Sequence, residues 1–347
     1  MGLFYIALFL LVVCSLRGNH GGFHSDYMGI EQCNVIKGIF ILMVFLAHCM
    51  GYIQRSGYVF NTPIDKLYPV IWSEFGQLIV VMFLVYSGYG IMEQYKSGGE
   101  SYLVSYPKKR ILSTLLNFDV AVILFILVDV LFHIELRASQ VLLSFIAWDS
   151  VGNSNWYVFD ILLCYASAYI GFRLCGNRAD RGLTLSSVLI VLAWILLYYA
   201  KRGQSHWYNT ILCFPVGMLF SLRKEQFESI IKRHYSLILF VTILLFLFLH
   251  LAHLPSIHGL IHNIKSIAFG GIVILLTMRF RIENKLLSWF GRHLFPLYIY
   301  QRLPMIVLAS LAGYNFIAAY PAVFILICFC TTVLLAAVFP FIRITIK

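Results

Sequence analysis

Ten long apolar runs constrain this chain more than any other feature of its sequence. They lie near residues 35–53, 67–92, 111–132, 156–174, 183–200, 206–222, 236–254, 259–279, 286–311 and 319–342, each ended by a turn residue or a charge. About 20 apolar residues wound as a helix cross the ~30 Å hydrocarbon layer, whereas strands of a membrane barrel alternate apolar and polar positions over about ten. These runs do not alternate, so the chain reads as an all-α, polytopic integral membrane protein with the lipid bilayer as its solvent. With 61% hydrophobic and 12% charged residues among 347, it carries more apolar surface than a soluble fold of this size can hide.

The loops between the runs supply an independent check on their number. Counted through ten crossings, one side collects Lys96, Lys108, Lys109, Arg110, Arg173, Arg178, Arg181, Arg223, Lys224, Lys232, Arg233, Arg279, Arg281, Lys285, Arg343 and Lys347. The other side has only Arg55, Lys66, Arg137, Lys201, Arg202 and Lys265. Positive charge is retained in the cytoplasm, so sixteen against six assigns the first side to the cell interior of a multi-pass plasma or inner membrane protein. The net charge of +11 is therefore a topology signal. No basic cluster interleaved with aromatics marks a nucleic-acid surface.

A further apolar stretch, residues 3–16, is short for a span, lacks a basic leader, and precedes no small-residue cleavage site. It reads as an extra helix with its N-terminus outside, the alternative being a segment lying at the interface. Residues 133–155 form a long outer connection containing VLLSFIAW (141–148), too short to cross, and read as a re-entrant or interfacial cover over an outward-facing cavity. The eight cysteines have no metal-ligand spacing, and no internal repeat is visible.

Polar residues inside such runs need a reason to be there. On the first core helix, the eleven-residue step from Lys37 to His48 returns to within about 20°, so both project from one face roughly 16 Å apart, with Ile41 and Val44 between. Lys37 reaches the cytoplasmic headgroups with its stem, whereas an imidazole two thirds of the way across needs a cavity or a partner. The plain reading of His48 is a histidine hydrogen-bonded between helices; the sharper one is a proton acceptor. Four carboxylates, Glu74, Asp119, Asp129 and Asp160, fall in or at spans. Glu74 and Asp129 read as solvated acids at the outer surface, Asp119 as a partner for a basic residue at the inner mouth, and Asp160 as a buried acid able to orient His48. Arg302 lies within the penultimate run between Pro296 and Pro304 and must find an acid, a carbonyl or a ligand. Ser87 and Gly88 permit close helix approach, and Trp156 and Tyr157 fit an interfacial aromatic belt or the lining of an entrance. His250, His253, His258 and His262 flank an outer loop without an accompanying acid or cysteine, a surface cluster rather than a metal site.

Taken together, Lys37-x10-His48, SGYG (87–90), KKR (108–110), NSNWYV (153–158) and FGRHLFPLYIYQRLPMI (290–306) resemble, in this order, the membrane acyltransferase-3 family. The resemblance covers nearly all of 30–342 and divides the chain into a hydrophobic segment with a linker, 1–29, and a membrane acyltransferase domain, 30–347. It implies a ten-helix core that moves an acyl group, usually acetyl, from cytoplasmic acetyl-CoA or another acyl-CoA to a hydroxyl of a surface or exported polysaccharide or glycolipid. No metal is implied, and the oligomeric state stays open, a homo-oligomer included. On this reading His48 is the general base and Asp160 its orienting acid. Lys37, Ser87, Tyr89, Lys108, Lys109 and Arg110 hold the donor, its arm rising along the Lys37 stripe. Trp156, Tyr157 and Arg302 hold the acceptor. An acyl-histidine intermediate is the alternative to direct attack. Where family members often carry a histidine, this chain reads Tyr300-Gln301-Arg302, so no histidine role carries over. The rival reading is a transporter or flippase for a lipid-linked sugar, with a family member reduced to a membrane sensor as a third.

Overall fold

A computed structural model describes residues 1–18, 22–176, 178–252 and 258–344. Sixteen α-helices follow in order among them: α1 Leu3–Cys14, α2 Ile30–Arg55, α3 Pro63–Phe75, α4 Val81–Tyr106, α5 Ser113–Leu131, α6 Ala138–Ser144, α7 Trp156–Cys175 and α8 Ala179–Ala200, then α9 Cys213–Leu222, α10 Lys224–Arg233, α11 Tyr235–Leu251, α12 His258–Arg279, α13 Lys285–Arg292, α14 Leu294–Tyr300, α15 Arg302–Ala319 and α16 Pro321–Ile342. One short antiparallel pair, β1 (Leu16–Gly18) with β2 (Phe280–Ile282), is the only sheet among the described residues. The protein is all-α and crosses the membrane several times.

Seven helical stretches are long and apolar enough to span a bilayer, or eight if the bent pair α10 and α11, 99° apart, counts as one. One of the seven, Pro63–Leu131, contains two of the expected spans. It is broken at Gly99, whose φ of 50° no ordinary L-residue adopts cheaply, and passes through a π-helical turn, Pro107–Leu112, that carries the KKR run. Two expected spans differ in form. Of 206–222, only α9 is a continuous helix. The run 286–311 divides into α13 and a longer span, Leu294–Ala319, in which α14 passes into α15 through a helical Gln301, φ −58° and ψ −30°, and the regular helix is interrupted only at Gly313, φ 75°.

Most of α2 is enclosed: 72% of its membrane window is buried, against 22–44% for the other six. That enclosure follows from glycine at its crossings. A Cβ on Gly38 would stand 1.9 Å from the Leu287 carbonyl oxygen, and one on Gly291 1.8 Å from that of Asn34, so α13 presses backbone to backbone on the first half of α2. Gly88 of α4 and Gly217 of α9 make a second such crossing, each with a prospective Cβ 2.0 Å from a carbonyl oxygen of the other helix. Close approach is thus the role of Gly88, as its sequence context suggests.

Loop contacts sort into the two sides expected from charge. On the basic face Lys96 reaches the Ser221 carbonyl at 3.0 Å, Arg223 pairs with Asp180, Tyr27 donates to Glu228 at 3.0 Å, and Arg281 lies 3.4 Å from Asp26. On the opposite face Lys201 donates to the Trp148 carbonyl at 2.8 Å and His250 meets Glu74 at 2.7 Å. The α1 helix runs antiparallel to α2 between these faces. Its Met1 amino group pairs with Asp65 just before α3 turns back, and its Ser15 carbonyl accepts from Glu283 N–H at 2.9 Å beside the start of α2. Lys347 and His253 lie outside the described residues.

Candidate active site

Four segments converge on His48. The second half of α2 presents the ring on the face that carries Val44 and Tyr52. The loop before α7 brings Ser154, whose hydroxyl lies 3.3 Å from Nε2. The span formed by α14 and α15 brings Tyr298, ring centroid 6.4 Å from the imidazole, together with Gln301 and Arg302. The segment after α3 supplies Gln77 and Val80.

The loop before α7 is built to reach inward. Ala147 adopts φ 57° and Gly152 φ 87°, two reversals that fold residues 145–155 onto themselves. Asn155 Nδ2 donates to the Ala147 carbonyl at 2.9 Å, and the Asn153 side chain accepts from Val151 N–H at 3.0 Å. From the far side Lys201 clamps the loop, its ammonium 3.9 Å from the Trp148 ring centre and 4.1 Å from that of Trp207. Asn153 then offers its carbonyl to Arg302 Nη1 at 3.2 Å.

Gln301 lies beside the imidazole. Its Nε2 donates to the Tyr298 carbonyl at 3.1 Å. His48 Nδ1 and Gln301 Oε1 are both buried, and neither has a hydrogen-bond partner among the described residues. The hydrogen-bonding neighbour of the ring is the Ser154 hydroxyl at Nε2, the nitrogen whose lone pair takes a proton in the Nδ1–H tautomer.

A cavity of about 650 Å³ opens in front of the ring, lined among others by His48, Tyr52, Arg55, Trp72, Gln77, Trp156, His206, Tyr298 and Arg302. Its rim belongs to the face opposite the basic loops, where Arg55 and Trp72 lie. His206 forms part of that wall, edge-on to Trp156 at 5.8 Å; burial and the nearby Lys201 hold its pKa below the usual histidine range.

The residues expected from sequence separate into three groups. His48, Trp156 and Arg302 meet at the cavity. Tyr157 does not line it: only 6% exposed, it packs at a tilt against Tyr298 with centroids 5.2 Å apart, and edge-on to Phe83. Asp160 does not orient His48. Both of its oxygens are buried without a hydrogen-bond partner, no ion pair joins it to Arg302, and Gln301 and Ser154 occupy the positions beside the imidazole. One helical turn from Tyr157, Asp160 faces Tyr298 and Cys164 instead.

The expected donor residues lie apart from the cavity. Lys108 and Lys109 are exposed on the basic face, and Lys109 shares a cleft of about 330 Å³ with Asn117 and Arg343. Arg110 turns inward among Tyr102, Tyr106 and Tyr165. Ser87 sits between Tyr165 and Tyr157. Tyr89 packs near Phe220, Glu93 and Glu228. Lys37, near Cys33, has no hydrogen-bonded or ionic partner among the described residues. The stripe above Lys37 is closed, since Ile41 and Val44 are 2% and 3% exposed. Asp129, expected to be solvated, is 2% exposed, while Glu74 is a surface acid paired with His250. Asp119 has one buried oxygen without a partner and pairs with no basic residue.

Sequence reasoning did not single out Ser154, Gln301, Arg55, Trp72 or His206. Ser154 and Gln301 stood inside motifs already noted, but which residue of NSN or YQR turns inward depends on loop reversals that no periodicity encodes. His262 contacts the Asn209 carbonyl at 3.2 Å. Among the described residues no three His, Cys, Asp or Glu side chains gather as a metal site.

The fold and this site define a multi-pass membrane protein with a histidine-centred cavity enclosed by helices. A family described as an acyltransferase domain matches residues 30–339, nearly the whole chain, and the protein belongs to this membrane acyltransferase-3 family. Nothing among curated proteins or solved structures matches the chain.

Proposed function

We propose that the protein transfers an acyl group, acetyl being the first candidate, from cytoplasmic acyl-CoA to a hydroxyl of a carbohydrate or glycolipid on the opposite side of a plasma or inner membrane. The observation that carries this reading is His48 lining a cavity of about 650 Å³ with the Ser154 hydroxyl 3.3 Å from its Nε2. An alcohol is a poor nucleophile until its proton is removed, and a neutral imidazole presented by Nε2 is a suitable base. The acceptor hydroxyl gives its proton to Nε2 as its oxygen attacks the thioester carbonyl. Collapse of the tetrahedral adduct breaks the C–S bond, and the departing thiolate takes the proton back from the imidazolium.

The donor side rests on chemistry at the basic face. CoA phosphates suit the cations Lys108, Lys109 and Arg110, with Arg343 across the cleft from Lys109. For the thioester arm, the closed Lys37 stripe makes a second route preferable: Arg110, Tyr165, Ser87, Tyr157 and Tyr298 adjoin one another in sequence as far as His48. Along it the hydroxyls of Tyr102, Tyr106 and Tyr298 are buried without partners. An unpaired hydroxyl costs about 1–3 kcal/mol, which amide groups of a pantetheine arm would relieve.

The test is His48→Ala in purified, bilayer-reconstituted protein supplied with radiolabelled acetyl-CoA and glycan extracted from the producing cell. Transfer falls by at least about a hundredfold, the usual contribution of a general base, while expression and insertion persist. Transfer within threefold of wild type would remove His48 from the chemistry.

A further inference from the structure

The cavity before His48 has a charge pattern that bears on what enters it. Two guanidiniums, Arg55 and Arg302, line it, and no aspartate or glutamate does. They flank one side chain: Arg55 lies 5.2 Å from the Tyr52 ring centre, and Arg302 faces the same tyrosine's hydroxyl. Neither has an ionic partner among the described residues. Among the described residues Arg302 donates to the Asn153 carbonyl at 3.2 Å and faces the Tyr52 hydroxyl, and Arg55 donates to the Tyr314 hydroxyl at 3.5 Å, so most of their ten N–H donors are unused. Of the acids on this face, Glu74 is bound to His250, Asp65 to the Met1 amino group and Tyr58, and Asp149 to the Ser150 N–H at 2.8 Å, while Asp129 and Glu135 are not among the residues that line the cavity.

Two cations facing one low-dielectric pocket without a counter-charge raise the local potential and draw in an anion. Lining the same pocket, Trp72 and Trp156 offer flat apolar faces of the kind on which the C–H faces of sugar rings pack. Aromatic walls with paired guanidiniums fit an acidic sugar better than a phospholipid, whose tails would need an opening toward the bilayer.

We infer that the acceptor is an acidic carbohydrate, its carboxylate or phosphate held by Arg55 and Arg302 while a neighbouring hydroxyl faces His48. This rests on the acyl-transfer reading for the role of His48, but the anion site is measurable by itself.

The experiment uses the full chain in nanodiscs of phosphatidylcholine, titrated calorimetrically with trigalacturonic acid and, separately, with its neutral trimethyl ester. The acid binds at least about tenfold more tightly than the ester, and raising salt from about 0.05 to 0.5 M weakens it. Arg55→Gln and Arg302→Gln each reduce that affinity about tenfold, while Arg55→Lys and Arg302→Lys, which keep the charge and guard against misfolding, retain most of it. Equal affinity for acid and ester, no binding of either, or indifference to both glutamine variants overturns the inference. In nanodiscs containing phosphatidylglycerol the acid's affinity is unchanged; a tenfold fall there would show a lipid headgroup in the site and overturn the carbohydrate assignment. Thiol release from acetyl-CoA separates this from the broader reading. If the acid binds as stated and no acceptor provokes thiol release, the anion site stands and acyl transfer fails; if neutral acceptors are acylated as fast as acidic ones, the reverse holds.

Discussion

At the scale of single residues, the site turns on one imidazole and the amide that faces it. His48 was visible in the sequence because a histidine that deep in an apolar helix has a cost to justify. Gln301 was not, since a glutamine beside an arginine near a proline gives no sign of which way it points. Asp160 shows the opposite failure: an acid one turn from Tyr157 looked able to reach His48, yet its helix turns it to Tyr298 and Cys164. Gln301→Ala removes the amide packed beside the imidazole and lets the ring reorient. An interaction of about 0.5–1.5 kcal/mol is at stake, so kcat falls about two- to tenfold with acceptor KM unchanged. Gln301→Glu keeps a planar side chain of the same size beside the ring and retains most of the rate. An equal loss in both variants would overturn this packing role for Gln301.

The elements around the site are set by where helices are allowed to touch and where they must break. Contact between α2 and α13 depends on Gly38 and Gly291, neither of which leaves room for a methyl group. Gly38→Ala drives a carbon into the Leu287 carbonyl, and overpacking of this kind costs about 1–3 kcal/mol. The apparent melting temperature in detergent therefore drops for Gly38→Ala. Gly90→Ala, with nothing within 4 Å of the new methyl, leaves it unchanged. If both variants melt with wild type, the close crossing of α2 and α13 is wrong. The break in the penultimate span falls at Gly313, φ 75°, so Gln301 and Arg302 are brought to the site by a helix that runs on past both of them.

Across the whole molecule, the two faces divide the labour. Basic loops gather on one side with the Lys109 cleft, and the His48 cavity opens on the other. Lys66 and Lys109 are both exposed, one on each face. In a background freed of native cysteines, Lys66→Cys reacts with an impermeant maleimide on intact cells and Lys109→Cys reacts only after lysis. Labelling of both from the same side would contradict the crossing count between them and, with it, the assignment of donor and acceptor to different faces.

How far the sequence went follows from the kind of information each feature needs. Helicity, the number of apolar runs, the sidedness of the loops and the register of Lys37 with His48 are properties of composition and of the 3.6-residue repeat, and each can be read along a line. Which side chains meet is different, because it depends on how far apart in space the segments end. Ser154 and Gln301 come within reach of one imidazole from positions 147 residues apart in the chain, through two reversals at Ala147 and Gly152 and the packing of a distant span, Leu294–Ala319. The unneutralised pair Arg55 and Arg302 arises the same way, from a helix end and a helix start that only packing brings to the two sides of Tyr52.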